Sequence, residues 1–204
     1  MSPRRYEQRA RADAADQTRR RILDAVEERL RDAPAERIAV DDIARRAGVS
    51  RSTIYVLFGS RAGLFDAFGL DVIERAGIDR VREAIANPDP RATVRDGIRS
   101  GAHVYAANRD VLRALFSMAQ LDGDAFAGAV ERMLDDRRRH MKRLARRLDD
   151  AGALRAGVTR AQAAHILWLL TGFEAFDTLY DGQGLDPEAV ADLLVASAEG
   201  SVLA

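Results

Sequence analysis

The stretch Val40–Phe58, VDDIARRAGVSRSTIYVLF, decides how the rest of the chain is read. Two apolar patterns of helical spacing pivot on Gly48: Ile43, Ala44 and Ala47 before it, and Val49, Ile54, Leu57 and Phe58 after it. Two short helices that cross need a small residue at the crossing, which Ala44 supplies. Four positions on, the chain must turn through positive φ, which glycine tolerates. Ile54 is placed to seat the second helix on the first, and the Ser50 hydroxyl to cap that helix's free N–H groups. The exposed positions of the second helix are then Arg51, Ser52, Thr53, Tyr55 and Val56. A set of donors with one methyl-bearing side chain is the chemistry of a helix laid in a DNA major groove. A plain helical hairpin with a glycine turn is the competing reading.

Outward from this motif, composition bounds the rest. A chain of 204 residues holds one large domain, or a small domain with a larger one. Only 5 prolines, with abundant Ala, Leu, Arg, Asp and Glu, point to an all-α protein. There is no cysteine, which excludes disulfides and thiolate ligands; neither metal nor cofactor is expected. The longest uncharged run, Ala161–Phe173, has 13 residues and is too short to cross a bilayer. The basic first residues are followed by no apolar run, so no secretory leader and a cytoplasmic location are expected. Net charge is zero but uneven: residues 1–58 hold 13 Lys+Arg against 10 Asp+Glu, and the remainder 19 against 22. The split mildly favours phosphate at the first end.

Residues 1–15, arginine-rich and without apolar periodicity, read as a mobile basic arm. A helix is expected from near Asp16 to Arg31, with Ile22, Val26 and Leu30 on one face, then a loop containing Pro34. After the turn motif, Gly59 and Ser60 stop the second helix. Ser60 can cap another, whose Leu64, Phe65, Phe68 and Val72 close a three-helix unit. That unit, with a linking helix, is placed at 16–76. The run NPDP, Asn87–Pro90, ends the continuation of this helix. Further helices are expected at about 91–107, 109–120, 124–151, 160–180 and 187–202, about nine in all, with residues 77–204 forming a larger second domain. Thr159 with Gln162 makes a capping box, and Asp186 with Pro187 opens the last helix.

With a turn motif near the N-terminus and a helical domain after it, the chain resembles the TetR family of transcriptional regulators. The run IARRAGVSRSTIYVLFGSRAGLF, Ile43–Phe65, carries the resemblance; the family's usual form is close to I-A-x-x-A-G-V-S-x-x-T-L-Y-x-H-F-x-S-K-x-x-L-F. Three positions depart from it. Ala39 stands where a capping Thr is common, Leu57 where a His or aromatic is frequent, and Arg61 where Lys is usual. Asp41 and Asp42 partly compensate the missing cap through the helix dipole. Carried over by position, Ser50, Arg51, Ser52, Thr53, Tyr55 and Arg61 are the DNA-contact candidates, with Tyr55 and Arg61 serving phosphates. Arg51 suits a guanine edge, and Thr53 or Val56 a thymine methyl. Arg45 and Arg46, on the first helix of the motif, are further backbone candidates or simply a solvated face.

The resemblance implies that the second domain senses a small molecule and dimerises. Candidate pocket residues are His103, Phe116, Met118, Met133, Trp168 and Phe173, although each apolar one among them is more often plain core than pocket wall. The helix at 160–180 is apolar around much of its circumference, and one stripe cannot use it all. The surplus, with the helix at 187–202, reads as a two-fold interface through Leu167, Leu170, Phe176, Leu193, Leu194 and Ser197. The expected protein is therefore a homodimeric repressor, released from a palindromic double-stranded operator by a largely apolar effector. A ligand-independent repressor or architectural DNA-binding protein is the alternative. A helical enzyme is remote: Ser100, Arg137 and Gln162 stand where a di-iron bundle needs Glu before His103, His140 and His165, and neither a HExxH nor a P-loop pattern occurs. Glu174 and Asp177 lack an obvious partner acid and read as a polar helix face.

Overall fold

In the computed structural model, which describes residues 3–33 and 36–204, the turn motif is built as its sequence requires. Helix α2 (Val40–Ala47) ends at Gly48, which takes φ of 64° and returns its N–H to the carbonyls of Ala44 and Arg45. Helix α3 (Arg51–Phe58) starts from Ser50, whose hydroxyl accepts the Thr53 N–H. Ile43 and Ile54 are wholly buried and Ala44 nearly so, so the two helices cross on small and branched apolar side chains. No side chain caps α2 at Ala39, as its sequence implied.

Eleven α-helices occur among the described residues. The first, α1 (Pro3–Asp32), starts well before Asp16 and takes in residues 3–15, the segment read from sequence as an arm. Proline at the opening position and alanines at 10, 12, 14 and 15 favour helix there. Residues 1 and 2, and Pro34 with Ala35 in the loop after α1, lie outside the described residues. The helix after the motif is α4 (Arg61–Arg75), opened by Ser60 accepting the Gly63 N–H at 2.9 Å. It stops short of NPDP because Gly77, at φ 79°, starts a separate α5 (Ile78–Ala86). Then come α6 (Pro90–Ala107), α7 (Arg109–Leu121) and α8 (Gly123–Asp150). The single helix expected over 160–180 is two, α9 (Arg160–Leu170) and α10 (Phe173–Tyr180), before α11 (Pro187–Val202). These two breaks account for eleven helices rather than nine.

The break between α9 and α10 is held from outside. Tyr105 of α6 donates to the Thr171 carbonyl at 2.9 Å, and Arg137 of α8 donates to the Trp168 carbonyl at 2.6 Å and the Thr171 hydroxyl at 3.2 Å. Carbonyls released at a helix end need such partners. Arg147 serves the C-terminus of α5 in the same way, donating to the carbonyls of Asn87 and, at 3.1 Å, Pro88. Both the capping box of Thr159 with Gln162 and the Asp186–Pro187 opening of α11 are formed.

Two compact units result. The first comprises residues 1–72 with 113–130, the second 73–112 with 131–204. In the first, Ile22, Val26, Leu30, Leu64, Phe65 and Phe68 are fully buried, as their spacing predicts. Met118 and Phe126 are buried too, and the Phe126 ring stacks on Phe65 at 3.9 Å. In the second, α6 packs on α5 and α11, and α9 on α11, around Ile98, Leu144, Leu148, Leu167, Phe176 and Val190. No helix among the described residues is long and apolar enough to cross a membrane.

Candidate DNA-binding face

Helix α3 shows one face to the core through Ile54 and the opposite one to solvent. Arg51 and Ser52 are exposed, and Thr53 and Tyr55 half-buried. Val56 is 83% exposed, the most open of the large apolar side chains among the described residues. Its branched side chain has no core to serve, so its methyls are available to a partner. The Ser50 hydroxyl lies 2.7 Å from that of Ser52 and 2.8 Å from that of Thr53, which gathers the polar groups at the N-terminal end of α3. From α1, the Arg19 guanidinium covers the Phe58 ring at 4.7 Å and steadies the far end.

The arginines of this region carry carboxylate partners. Arg51 donates to Asp41 at 3.1 Å, Arg45 to Asp42, and Arg46 to Asp32 at 2.7 Å with Asp42 3.4 Å away. Arg29 was not singled out from the sequence, yet it is 8% exposed. It meets Asp42 and Glu36, each at 3.1 Å, and donates to the Ala33 carbonyl, so it joins the end of α1 to the start of α2. A buried arginine in an otherwise apolar helix face carries no local pattern that would have marked it.

Arg61 departs from its expected part. Both of its terminal nitrogens donate to Asp122, at 3.1 and 2.7 Å, and one also donates to the Ile38 carbonyl at 2.8 Å. Asp122 is 5% exposed, and the hydrogen bonds from Arg61 hold its carboxyl below the ordinary range, with Arg37 adding a weaker attraction. Turning Arg61 to a phosphate would strip that buried carboxylate of its hydrogen-bonded partner, which is costly. Arg61 is a tie within the first unit, not an open phosphate donor.

The sequence-derived pocket residues are divided between the two units. His103 is about half exposed, with its Nε2 3.0 Å from a Glu188 oxygen, because its position on α6 faces α11's charged edge and not the core. Met118 is buried and Phe116 half-buried in the first unit, whereas Met133, Trp168 and Phe173 lie in the second. Phe173 packs edge-on against Tyr105, and Trp168 lies 3.6 Å from the Arg137 guanidinium. Of the expected interface residues, Leu167 and Phe176 are wholly buried in their own unit's core and cannot meet a partner. Helical spacing finds the apolar stripes of such a helix but not which stripe faces inward. Leu170, Leu193, Leu194 and Ser197 do line one surface groove of about 510 Å³, together with Trp168, Arg137 and Glu174. Leu169, one of the apolar positions of the helix expected at 160–180, lines the same groove and is 68% exposed, and Leu193 is 46% exposed.

Comparisons with known proteins fit this geometry. The pattern of "Bacterial regulatory proteins, tetR family" matches residues 22–68. The HTH-type transcriptional regulator AlkX of Mycobacterium tuberculosis is 39% identical over 64 residues; the match spans 31% of this chain and 30% of that protein, well under its full length. Over nearly the whole chain the fold is shared. NalD, the secondary repressor of the MexAB-OprM multidrug efflux pump in Pseudomonas aeruginosa, superposes with a TM-score of 0.73 at 23% identity, covering 94% of this chain and 98% of that one. A TetR-like transcriptional regulator from Rhodococcus sp. RHA1 gives 0.60 at 25% identity, covering 90% and 94%. With the α2–α3 turn, its buried Ile54 and the residues around them at fixed spacing, residues 22–68 are similar to the tetR family of bacterial regulatory proteins, and over the rest of the chain the likeness is one of fold.

Proposed function

We propose that the protein is a transcriptional regulator that lays α3 in the major groove of double-stranded DNA. It would act as a homodimeric repressor released from a palindromic operator by a small, largely apolar effector. The observation that carries the DNA reading is the solvent face of α3, where donors and the unburied Val56 stand on a helix fixed from beneath by Ile54. Ser50, Arg51, Ser52, Thr53, Tyr55 and Val56 are the contacts it offers, with Arg45 and Arg46 nearer the backbone. Arg61 is left out because Asp122 holds it. Pairing of two chains is supported by the groove of α9–α11 and its exposed Leu169 and Leu193, since a single reading helix makes too few contacts for a specific site.

A second reading, regulation without an effector, gains support from the second unit: its central residues Leu144, Leu148, Leu167 and Phe176 are packed together, and His103 stands at the surface. Two measurements test the proposal. Selection from a pool of random duplexes should enrich a two-fold symmetric sequence; enrichment of nothing would overturn the DNA reading. Melting with a panel of small apolar compounds should raise stability for at least one, and that compound should release the selected duplex by linkage. A panel without effect favours the effector-free regulator.

A further inference from the structure

Arg51 opens α3 and its side chain is 58% exposed, yet its guanidinium is fixed at two corners. One terminal nitrogen donates to the Asp41 carboxylate at 3.1 Å, the other to the Tyr55 hydroxyl at 3.3 Å, and the guanidinium carbon lies 5.5 Å from the centroid of the Tyr55 ring. Asp41 comes from the first turn of α2, and Tyr55 from the next turn of α3. The guanidinium therefore spans the two helices of the turn. Arginine carries five N–H donors in a planar fork. Two are engaged here, and a paired bond to guanine O6 and N7 needs two of the three that remain.

We propose that Asp41 is the positioning residue for sequence reading: it presets the Arg51 fork for a guanine edge and holds it away from indiscriminate phosphate contact. This rests on the DNA-binding reading above. An untethered arginine samples many rotamers and meets a phosphate as readily as a base. Fixing it beforehand removes much of the ordering cost of the base contact and none of the cost of the wrong one. Asp41 is itself 66% exposed, and its charge repels a polyanion whatever its sequence. The carboxylate thus lowers affinity for DNA in general and raises it, relatively, for one base. Removing it should move the two in opposite directions. A residue that only supported the start of α2 through the helix dipole would, on removal, weaken both together.

The test compares two duplexes of equal length at one salt concentration, one selected from a random pool by the wild-type protein and one unrelated. Asp41→Ala should tighten binding to the unrelated duplex about twofold to threefold, one charge's worth at the surface. It should lower the ratio of selected to unrelated affinity about tenfold, within the range of one lost base contact. Asp41→Asn, isosteric and uncharged, should fall between Asp41→Ala and wild type. In an Arg51→Ala background, Asp41→Ala should leave the ratio where Arg51→Ala put it, since the carboxylate acts through the arginine. Three results overturn the inference: an unchanged ratio, equal weakening on both duplexes, or an undiminished effect without Arg51. A wild-type protein that enriches no sequence removes the DNA reading and this inference together, whereas enrichment with an unaltered Asp41→Ala ratio removes only the inference.

Discussion

On α3 the side chains left in the open are Arg51, Ser52 and Val56, with the arginine tied to a carboxylate; on α9 and α11 the large apolar side chains left in the open are Leu169 and Leu193, lining a groove. The difference is one of what each face loses by staying wet. The polar groups of α3 are well solvated and gain from a partner only if it matches their donors, which is the situation of a groove edge. Exposed leucines gain from any dry contact of suitable shape, at about 25 cal/mol per Å² removed from water. The donor-bearing face and the leucine face lie in separate units.

The largest effect should come from charging the leucine face. Leu169→Glu, alone or with Leu193→Glu, should give a folded species near 22.4 kDa by sedimentation. Its affinity for a two-fold symmetric duplex should fall about a hundredfold or more, because the second half-site no longer binds at high effective concentration. If the charged variant sediments and binds as wild type, the leucine face is not where chains pair. Leu167→Glu would not make the same test: Leu167 is wholly buried, and the substitution would unfold the second unit instead.

Next in size is the tie between Arg61 and Asp122. Asp122→Asn should destabilise the protein by about 3 kcal/mol, the low end for breaking a buried pair, because Arg61 is 30% exposed. The Asp122 carboxyl is held below its ordinary range in the folded chain, chiefly by Arg61. Its contribution is therefore fully present above the unfolded carboxylate value, about 4, and fades as pH falls through the lower folded value. Urea titrations should show the deficit of Asp122→Asn at pH 7 and a shrinking difference from wild type at strongly acid pH. A deficit that grows on acidification would contradict the pair. Smaller again is Val56→Ala, expected to cost about fivefold in affinity at a single thymine of the selected duplex and nothing on an unrelated one. Smallest is His103→Ala, within about 0.5 kcal/mol by melting, as for other surface pairs.

What could be read from the chain depends on how far apart in it the interacting residues lie. Gly48, Ser50 and Ile54 act on neighbours within one or two turns, and their turn, cap and burial were legible. Arg61 and Asp122 are 61 residues apart. No local pattern ties an arginine at an exposed-looking helix start to a distant buried acid, so Arg61 read as a phosphate donor. The interruption at Thr171–Gly172 was hidden for a like reason. Its freed carbonyls are satisfied by Tyr105 and Arg137, contributed by other helices. On α9, the surplus of apolar positions was visible, but their allocation was not: Leu167 went inward and Leu169 outward, a choice that packing makes and periodicity does not. The α1 start differed because alanine-rich helix propensity outweighed the lack of an apolar stripe.

The claim that α3 reads the major groove is tested most directly by methylation interference on the selected duplex, since methylating guanine N7 blocks the major-groove edge alone. The account predicts that methylation at symmetric guanines, in half-sites about 34–36 Å apart or a multiple of that, prevents wild-type binding. Arg51→Ala should become insensitive to methylation at the guanine Arg51 contacts while still sensing the others. Binding that ignores N7 methylation throughout would contradict it and place the protein's contacts on the backbone or in the minor groove.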